Sequence, residues 1–337
     1  MEIRRRSKRL INLLLKPFGH EIGSLLYSWK KYFRKLQNFT QSKLPEEAEQ
    51  YLNPANPRLK ELRERYALCG KNITAPSIWT DVHVSPHDIA YFRGDNAYVW
   101  QLRGQNMTIA GYVLTAYYVK SIDILSLLDT LPEDDYFGNI TFRIDNKIIS
   151  RDLLDSIIEI YFLEKHLNIS SLQNLRILDI GAGYGRLAHR MIQALPNIDT
   201  YLCTDAVAPS TFISEYYLRF RDLGERAKVI PLDEIESTLE TQHIDIAVNI
   251  HSFSECRVAA IEWWLSLLQK NRIKCLMIAP NVYNEGGALL QNEDGFDFQK
   301  IIEKHGYTLA AKEPKYRDPL VQKYAITPTY HYLFVLN

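Results

Sequence analysis

Arg176 to His189 reads RILDIGAGYGRLAH: an apolar run ends in Asp179, and Gly181, Gly183 and Gly185 then crowd together before a helical pattern resumes. Glycine there lets the backbone turn sharply from a buried strand into a helix, and lets a ligand approach main chain where any Cβ would collide. Such a loop takes a nucleotide-type cofactor. Its spacing separates it from the dinucleotide fingerprint, which wants its third glycine where Arg186 stands. The acid two positions before the first glycine is a second departure. A carboxylate there suits a ligand bearing an ammonium group and repels a pyrophosphate. S-adenosyl-L-methionine fits, having a zwitterionic amino acid end, a cationic sulfonium and no phosphate.

The chain has 337 residues, formal net charge +0 and 46% hydrophobic residues, enough for a large domain plus an elaboration. Overall neutrality excludes a general nucleic-acid binder, whose basic footprint would show in the total or as a stripe. Cys69, Cys203, Cys256 and Cys275 lie far apart with no CxxC pair, so neither a zinc knuckle nor a disulfide framework is expected, and a reducing cytoplasm is the simpler home. Charge is biased only locally. Residues 1–50 form a basic amphipathic arm, in which clusters such as Arg4-Arg5-Arg6 and Lys30-Lys31 alternate with Leu13, Leu14, Leu15, Phe18 and Trp29. Its apolar runs are too short to span a bilayer. Packing of the leucine stripe on the main body is the first reading, and peripheral contact with anionic lipid at the inner face of the membrane is the second.

Residues 51–149 are expected to form an α+β cap or acceptor region. Within it a helix is predicted from Leu59 to Leu68, and Ala97–Gln101 and Gly111–Val119 read as strands because they are rich in aromatic and β-branched residues. Ser150 should cap a helix carrying Leu153, Leu154, Ile157, Ile158, Tyr161 and Phe162 at helical spacing. From there residues 150–337 alternate strand and helix, which implies a parallel sheet covered on both faces. The five parallel strands are expected at Leu175–Ile180, Thr200–Thr204, Lys228–Leu232, Ile244–Ile250 and Lys274–Ala279. Tyr307–Lys312 and Tyr330–Leu336, joined without an evident helix, should close the sheet as an antiparallel hairpin. The fold class is therefore α/β, a Rossmann-like sheet with an N-terminal α+β elaboration.

Ligands of such sheets sit beyond the carboxyl ends of the strands. That places Asp179, Gly181, Gly183 and Gly185 after the first strand, at the methionine part of the cofactor. Asp205 ends the second strand, where a carboxylate can accept both ribose hydroxyls. Asp233, after the third, either accepts from the adenine amino group or caps the following helix. The fourth strand ends in NIHSFSE, the most unusual string of the chain. Methyl transfer to a hydroxyl needs an in-line acceptor whose proton is removed as the bond forms. His251 is the first candidate for that general base and Glu255 the second, the alternative being that the histidine only bonds to backbone and the glutamate opens a helix. Glu285, Glu293 and Asp294 have no EF-hand spacing, and no two-histidine pair occurs, so no metal is expected. The aromatic Tyr91–Tyr118 region, with Arg93, Asp95 and Asn96, could stack and hydrogen-bond a sugar or simply fill a core.

The strings ILDIGAGYGRLAHR, CTDAVAPSTFISEYYL, PLDEI, AVNIHSFSEC and EPKYRDP, with FRGDNAYVWQ and SRDLLDSI upstream, together resemble the sugar O-methyltransferase family of bacterial surface polysaccharide clusters. The likeness covers most of the chain after about residue 80. The glycine loop is common to class I S-adenosylmethionine-dependent methyltransferases, and NIHSFSEC narrows it. The resemblance implies S-adenosyl-L-methionine as methyl donor and a glycosyl hydroxyl, in a sugar nucleotide or glycan, as acceptor. Two other functions fit the same residues: methylation of an amino sugar nitrogen, a lipid or a protein, and a methyltransferase-fold binding or assembly protein without turnover.

Overall fold

The computed structural model describes residues 43–70, 83–104, 106–281 and 285–337. The basic arm falls almost wholly outside them. Leu44–Asn337 cluster as one compact unit, so the upstream region shares a body with the sheet.

Strands β1 (Phe142–Ile144) and β2 (Lys147–Ile149) form a small hairpin. The main sheet is built from β3 (Leu175–Ile180), β4 (Ile198–Thr204), β5 (Ala227–Val229), β6 (Ile246–Ile250), β7 (Cys275–Ala279), β8 (Tyr307–Pro314) and β9 (Tyr330–Leu336). Its order is β5-β4-β3-β6-β7-β9-β8. The first five are parallel, and β9 runs antiparallel to both β7 and β8. All five parallel strands stand where the alternation predicts them, within a few residues, and so does the closing hairpin. Central strands covered on both faces read as near-continuous apolar runs. Ile177, Leu178, Ala247, Val248, Leu276 and Met277 are fully buried accordingly.

Helix α1 (Pro57–Ala67) starts two residues before its expected position, because the Asn56 side chain accepts from Arg58 N and Pro57 fits the first turn. Helix α2 (Ile109–Ile122) overturns the strand expected at Gly111–Val119. Thr108 caps it by accepting from Gly111 N at 3.1 Å. Its buried residues Tyr112, Thr115, Ala116 and Val119 repeat at helical spacing, so tertiary packing outweighs the β-propensity of the string. The strand expected at Ala97–Gln101 is also absent. There Asn96 accepts from Tyr98 N (2.8 Å) and Asp95 from Gln101 N (2.8 Å), side-chain bonds that replace a ladder.

Helix α3 (Arg151–Leu167) is capped by Ser150 as expected, followed in order by α4 (Arg186–Ala194), α5 (Ala208–Phe220), α6 (Ile235–Thr241), α7 (Val258–Lys270) and α8 (Gln299–Lys304). Between β8 and β9, where no helix is evident in the sequence, α9 (Pro319–Tyr324) forms on an Asp318 cap that accepts from Leu320 N and Val321 N. No described helix is long and apolar enough to cross a membrane.

A buried ionic cluster ties the upstream region to the sheet's helices. Arg93, fully buried, reaches Glu133 (2.8 Å), Asp134 (2.8 Å) and Asp152 at the start of α3 (3.2 Å). Arg190 of α4 takes the other oxygen of Glu133. Arg221, just past α5, takes Asp134.

Candidate active site

The chain reverses direction across the sheet between β3 and β6, and a cleft of about 500 Å³ opens over their carboxyl ends. Asn249, fully buried near the end of β6, fastens this point by donating to Ile180 O (2.9 Å) and accepting from Phe253 N (2.8 Å). Beyond Ile250 the chain turns at once, with His251 at φ +69°, so the strand alternation stops there.

The three loop glycines have two different causes. A Cβ on Gly181 would lie 2.3 Å from the Ser252 side chain, and one on Gly185 2.8 Å from Leu218 of α5. These two glycines bring backbone close to neighbouring elements. Gly183, at φ +57°, has nothing within 4 Å of its would-be Cβ and faces open cleft. It is the one glycine of the loop that no neighbouring element packs against. Gly181 N and Ala182 N donate to Thr204 O, which holds the loop to the end of β4.

Asp179 and Asp205 both line the cleft, together with Gly181, Gly183, His251 and Glu255, while Gly185 does not. Asp179 accepts from the Tyr201 hydroxyl at 3.0 Å, and burial pushes its carboxyl up to about 7. Asp205 accepts from Gly183 N (3.0 Å) and Val207 N (2.9 Å), so it braces the loop and also caps the turn into α5. Burial raises it to about 6, the two backbone donors offsetting part of the rise. Asp233 is not among the residues of the cleft. Arg65 of α1 holds it in a bidentate pair at 2.8 Å, and Glu234 as well. Asp233 is thus engaged with α1 outside the cleft, and it makes no cap bond to α6.

The two base candidates sit in opposite electrostatic surroundings. Burial pushes His251 down to about 3, with the Arg151 cation adding to it, and its Nδ1 is buried without a hydrogen-bond partner. Glu255, in the 3₁₀ turn after β6, is pushed up to about 7 by burial. Asn281, following β7, donates to Glu255 Oε1 at 2.8 Å, and its own N–H donates to Ser254 Oγ at 3.0 Å. This places the carboxylate by side-chain and backbone bonds from two adjacent strand ends.

Sequence reasoning singled out the aromatic region that contains Trp100, but not Arg151. Arg151, the first residue of α3, lines the cleft beside Trp100 and Arg186. Beneath it Asp155 joins Arg151 (3.1 Å) to the buried Lys315 (2.6 Å). A four-residue spacing from Arg151 to Asp155 on a predicted helix is the only signal the sequence carries for this pair. Among the described residues no group of His, Cys, Asp and Glu is arranged to hold a metal ion.

No family model matches the chain. It is similar to a release factor glutamine methyltransferase of Flavobacterium psychrophilum, 31% identical over 114 residues, which are 30% of this chain and 40% of that protein. The chain thus matches well under half the length of that relative. Among solved structures it is similar to a magnesium protoporphyrin IX methyltransferase of Synechocystis PCC 6803 with bound SAM (11% identical, covering 68% of this chain and 98% of that one, TM-score 0.40). It is also similar to a SAM-dependent methyltransferase of Aquifex aeolicus (14% identical, 54% and 98% covered, TM-score 0.40). With five parallel strands in this order and a reversed β9 inserted between β7 and β8, the sheet is the Rossmann-like fold of the class I methyltransferases.

Proposed function

We propose that the protein is an S-adenosyl-L-methionine-dependent methyltransferase that acts on a hydroxyl, with a sugar as acceptor. The observation that carries the donor reading is the Gly183 segment. Its backbone is bare toward the cleft, its N–H is fixed on Asp205, and the buried carboxyl of Asp179 stands at the end of the same strand. Two carboxyls held above their ordinary range by burial gain most from a cationic ligand, whose charge restores their ionised form. In this arrangement Asp179 faces the ammonium end of the donor and Asp205 its ribose hydroxyls. The donor supplies an electrophilic methyl on a sulfonium that leaves as a neutral thioether.

The chain's own contribution to the chemistry is to orient the acceptor and take its proton. A base titrating near 7 suits proton transfer at neutral pH, which favours Glu255 over His251. As the acceptor oxygen bonds to the methyl carbon, the hydroxyl proton passes to the Glu255 carboxylate, kept in place by Asn281. His251, neutral over the whole physiological range, orients a hydroxyl by a hydrogen bond instead. The sugar reading is supported by aromatic lining: Tyr98 and Trp100 line the cleft, and Trp100 remains 40% exposed. Labelled methyl transfer from S-adenosyl-L-methionine to a panel of sugar nucleotides, free glycans, amino sugars and peptides tests the assignment. Incorporation into peptide alone refutes the sugar reading, and no calorimetric binding of S-adenosylhomocysteine refutes the donor.

A further inference from the structure

Groups of both charges line the cleft: Asp179, Asp205 and Glu255, and Arg103, Arg151 and Arg186. Both terminal nitrogens of Arg186 are engaged, since Nη1 and Nη2 grip Glu159 at 2.9 and 3.0 Å and Nη1 also bonds Ser156. Arg103 is paired with Asp95 at the rim. Arg151 is different. Its Nε bonds Asp155 and its Nη1 the Trp100 carbonyl at 2.9 Å, while its Nη2 meets no acceptor among the described residues.

Charge in the layer below is also unbalanced. Arg151, Lys315 and Arg186 share two carboxylates, Asp155 and Glu159. The next carboxyl, Asp179, is bonded to Tyr201 and half protonated near neutrality. His251 and His331, both facing these cations, are driven to about 3 by burial and then by the neighbouring cations Arg151 and Lys315, so neither adds charge. Of these three cations Arg151 and Arg186 reach the cleft, and both terminal nitrogens of Arg186 are taken by Glu159. Beside the Arg151 guanidinium stands the half-exposed Trp100 indole, fixed by the bond to its carbonyl and by Gly104, whose would-be Cβ lies 3.3 Å from the ring. A guanidinium with an open donor beside an exposed aromatic face is a receptor for an acid carried on a pyranose ring.

We propose that the acceptor is an anionic sugar, its carboxylate or phosphate bound by Arg151 and its ring laid against Trp100. This rests on the reading of the cleft as an acceptor site, and it adds the charge of the acceptor.

Calorimetric titration of the full-length protein, with and without saturating S-adenosylhomocysteine, tests it with glucuronate, glucose 1-phosphate, glucose and inorganic phosphate as probes. At least one of the two acidic sugars should bind about tenfold or more tightly than glucose. Whichever acid binds better identifies the source of the negative charge. Arg151→Gln should weaken acidic sugars by at least about tenfold and leave glucose and S-adenosylhomocysteine within about twofold. Trp100→Ala should weaken all three sugars and spare inorganic phosphate. Equal binding of glucose and both acidic sugars, no binding of either acid, or acid binding unchanged in Arg151→Gln overturns the proposal. Loss of S-adenosylhomocysteine binding in Arg151→Gln would mark a misfolded variant, and Arg151→Met, which also removes the charge but keeps an unbranched stem, then serves in its place with the same criteria. Failure of wild type to bind S-adenosylhomocysteine refutes the donor reading instead, and the titrations without it still decide the acid.

Discussion

At the scale of single residues the glycine loop separates packing from binding. Gly183→Ala meets no neighbour and bears only the cost of an alanine at φ +57°, about 1 kcal/mol. Gly181→Ala adds a 2.3 Å collision with Ser252 that moves the turn after β6, so it is expected to destabilise by 2 kcal/mol or more, on the order of an overpacked core site. Denaturant melts of the two variants check the ranking, and donor affinity should fall in both. Glu255→Gln should lower the methylation rate by about two to three orders of magnitude with donor affinity unchanged. In wild type the rate should rise with pH and level off above about 7 as Glu255 ionises, a limb that the variant lacks. Of these residues the sequence shows the glycines and Asp179 plainly, because their spacing is itself the signal. It cannot rank His251 against Glu255, since what divides them is burial and the cations of α3 and the β8–β9 connection, remote in the chain. The pairing of Asp233 is hidden for a similar reason: its partner Arg65 lies 168 residues away.

At the scale of elements, the legible parts are those with an undisturbed period. The buried strands β3, β4, β6 and β7 read as apolar runs, and α3 as a capped apolar stripe. Helix α2 was illegible by composition because Tyr, Thr and Val favour strands locally, while the Thr108 cap and the four-residue repeat of buried positions decide the outcome in three dimensions. The join between β3 and β6 depends on one amide. Asn249→Ala would leave Ile180 O and Phe253 N without their partner, and a loss of about 1–3 kcal/mol is expected. Because the same amide orders the turn bearing His251 and Glu255, catalysis should fall more than stability accounts for. Comparing kcat well below the melting temperature with the unfolding free energy of the same variant measures that excess.

Across the whole molecule, ionisation sets two opposite demands. The cluster around Arg93 favours high pH. Burial alone would raise Glu133 and Asp134, yet Arg190, Arg93 and Arg221 outweigh it and hold both at about 2. Their contribution is present above the ordinary carboxylate pKa and is lost as pH falls from about 4 toward 2. Arg93→Met, which leaves Glu133 only Arg190 and Asp134 only Arg221 and takes the cation from Asp152, should cost about 3–5 kcal/mol at neutral pH, and less in acid, by chemical denaturation. The cleft makes the reverse demand. Asp179 and Asp205 titrate at about 7 and 6 in the folded chain, so the unfolded chain releases their protons first, and they subtract stability as pH rises from about 4 to 7. Asp179→Asn is therefore expected to raise the stability of the ligand-free protein at pH 7.5 while weakening donor binding. A cationic ligand over Asp179 requires the ionised form, so binding below pH 7 must expel a proton. The dissociation constant for S-adenosyl-L-methionine should fall between pH 5.5 and 7, by up to about tenfold per pH unit for each proton released, and flatten above 7. Calorimetry in buffers of different ionisation enthalpy counts that proton directly. A pH-independent affinity with no proton release in wild type would mean that the ligand's positive end lies away from Asp179, and the slope should already be shallower in Asp179→Asn.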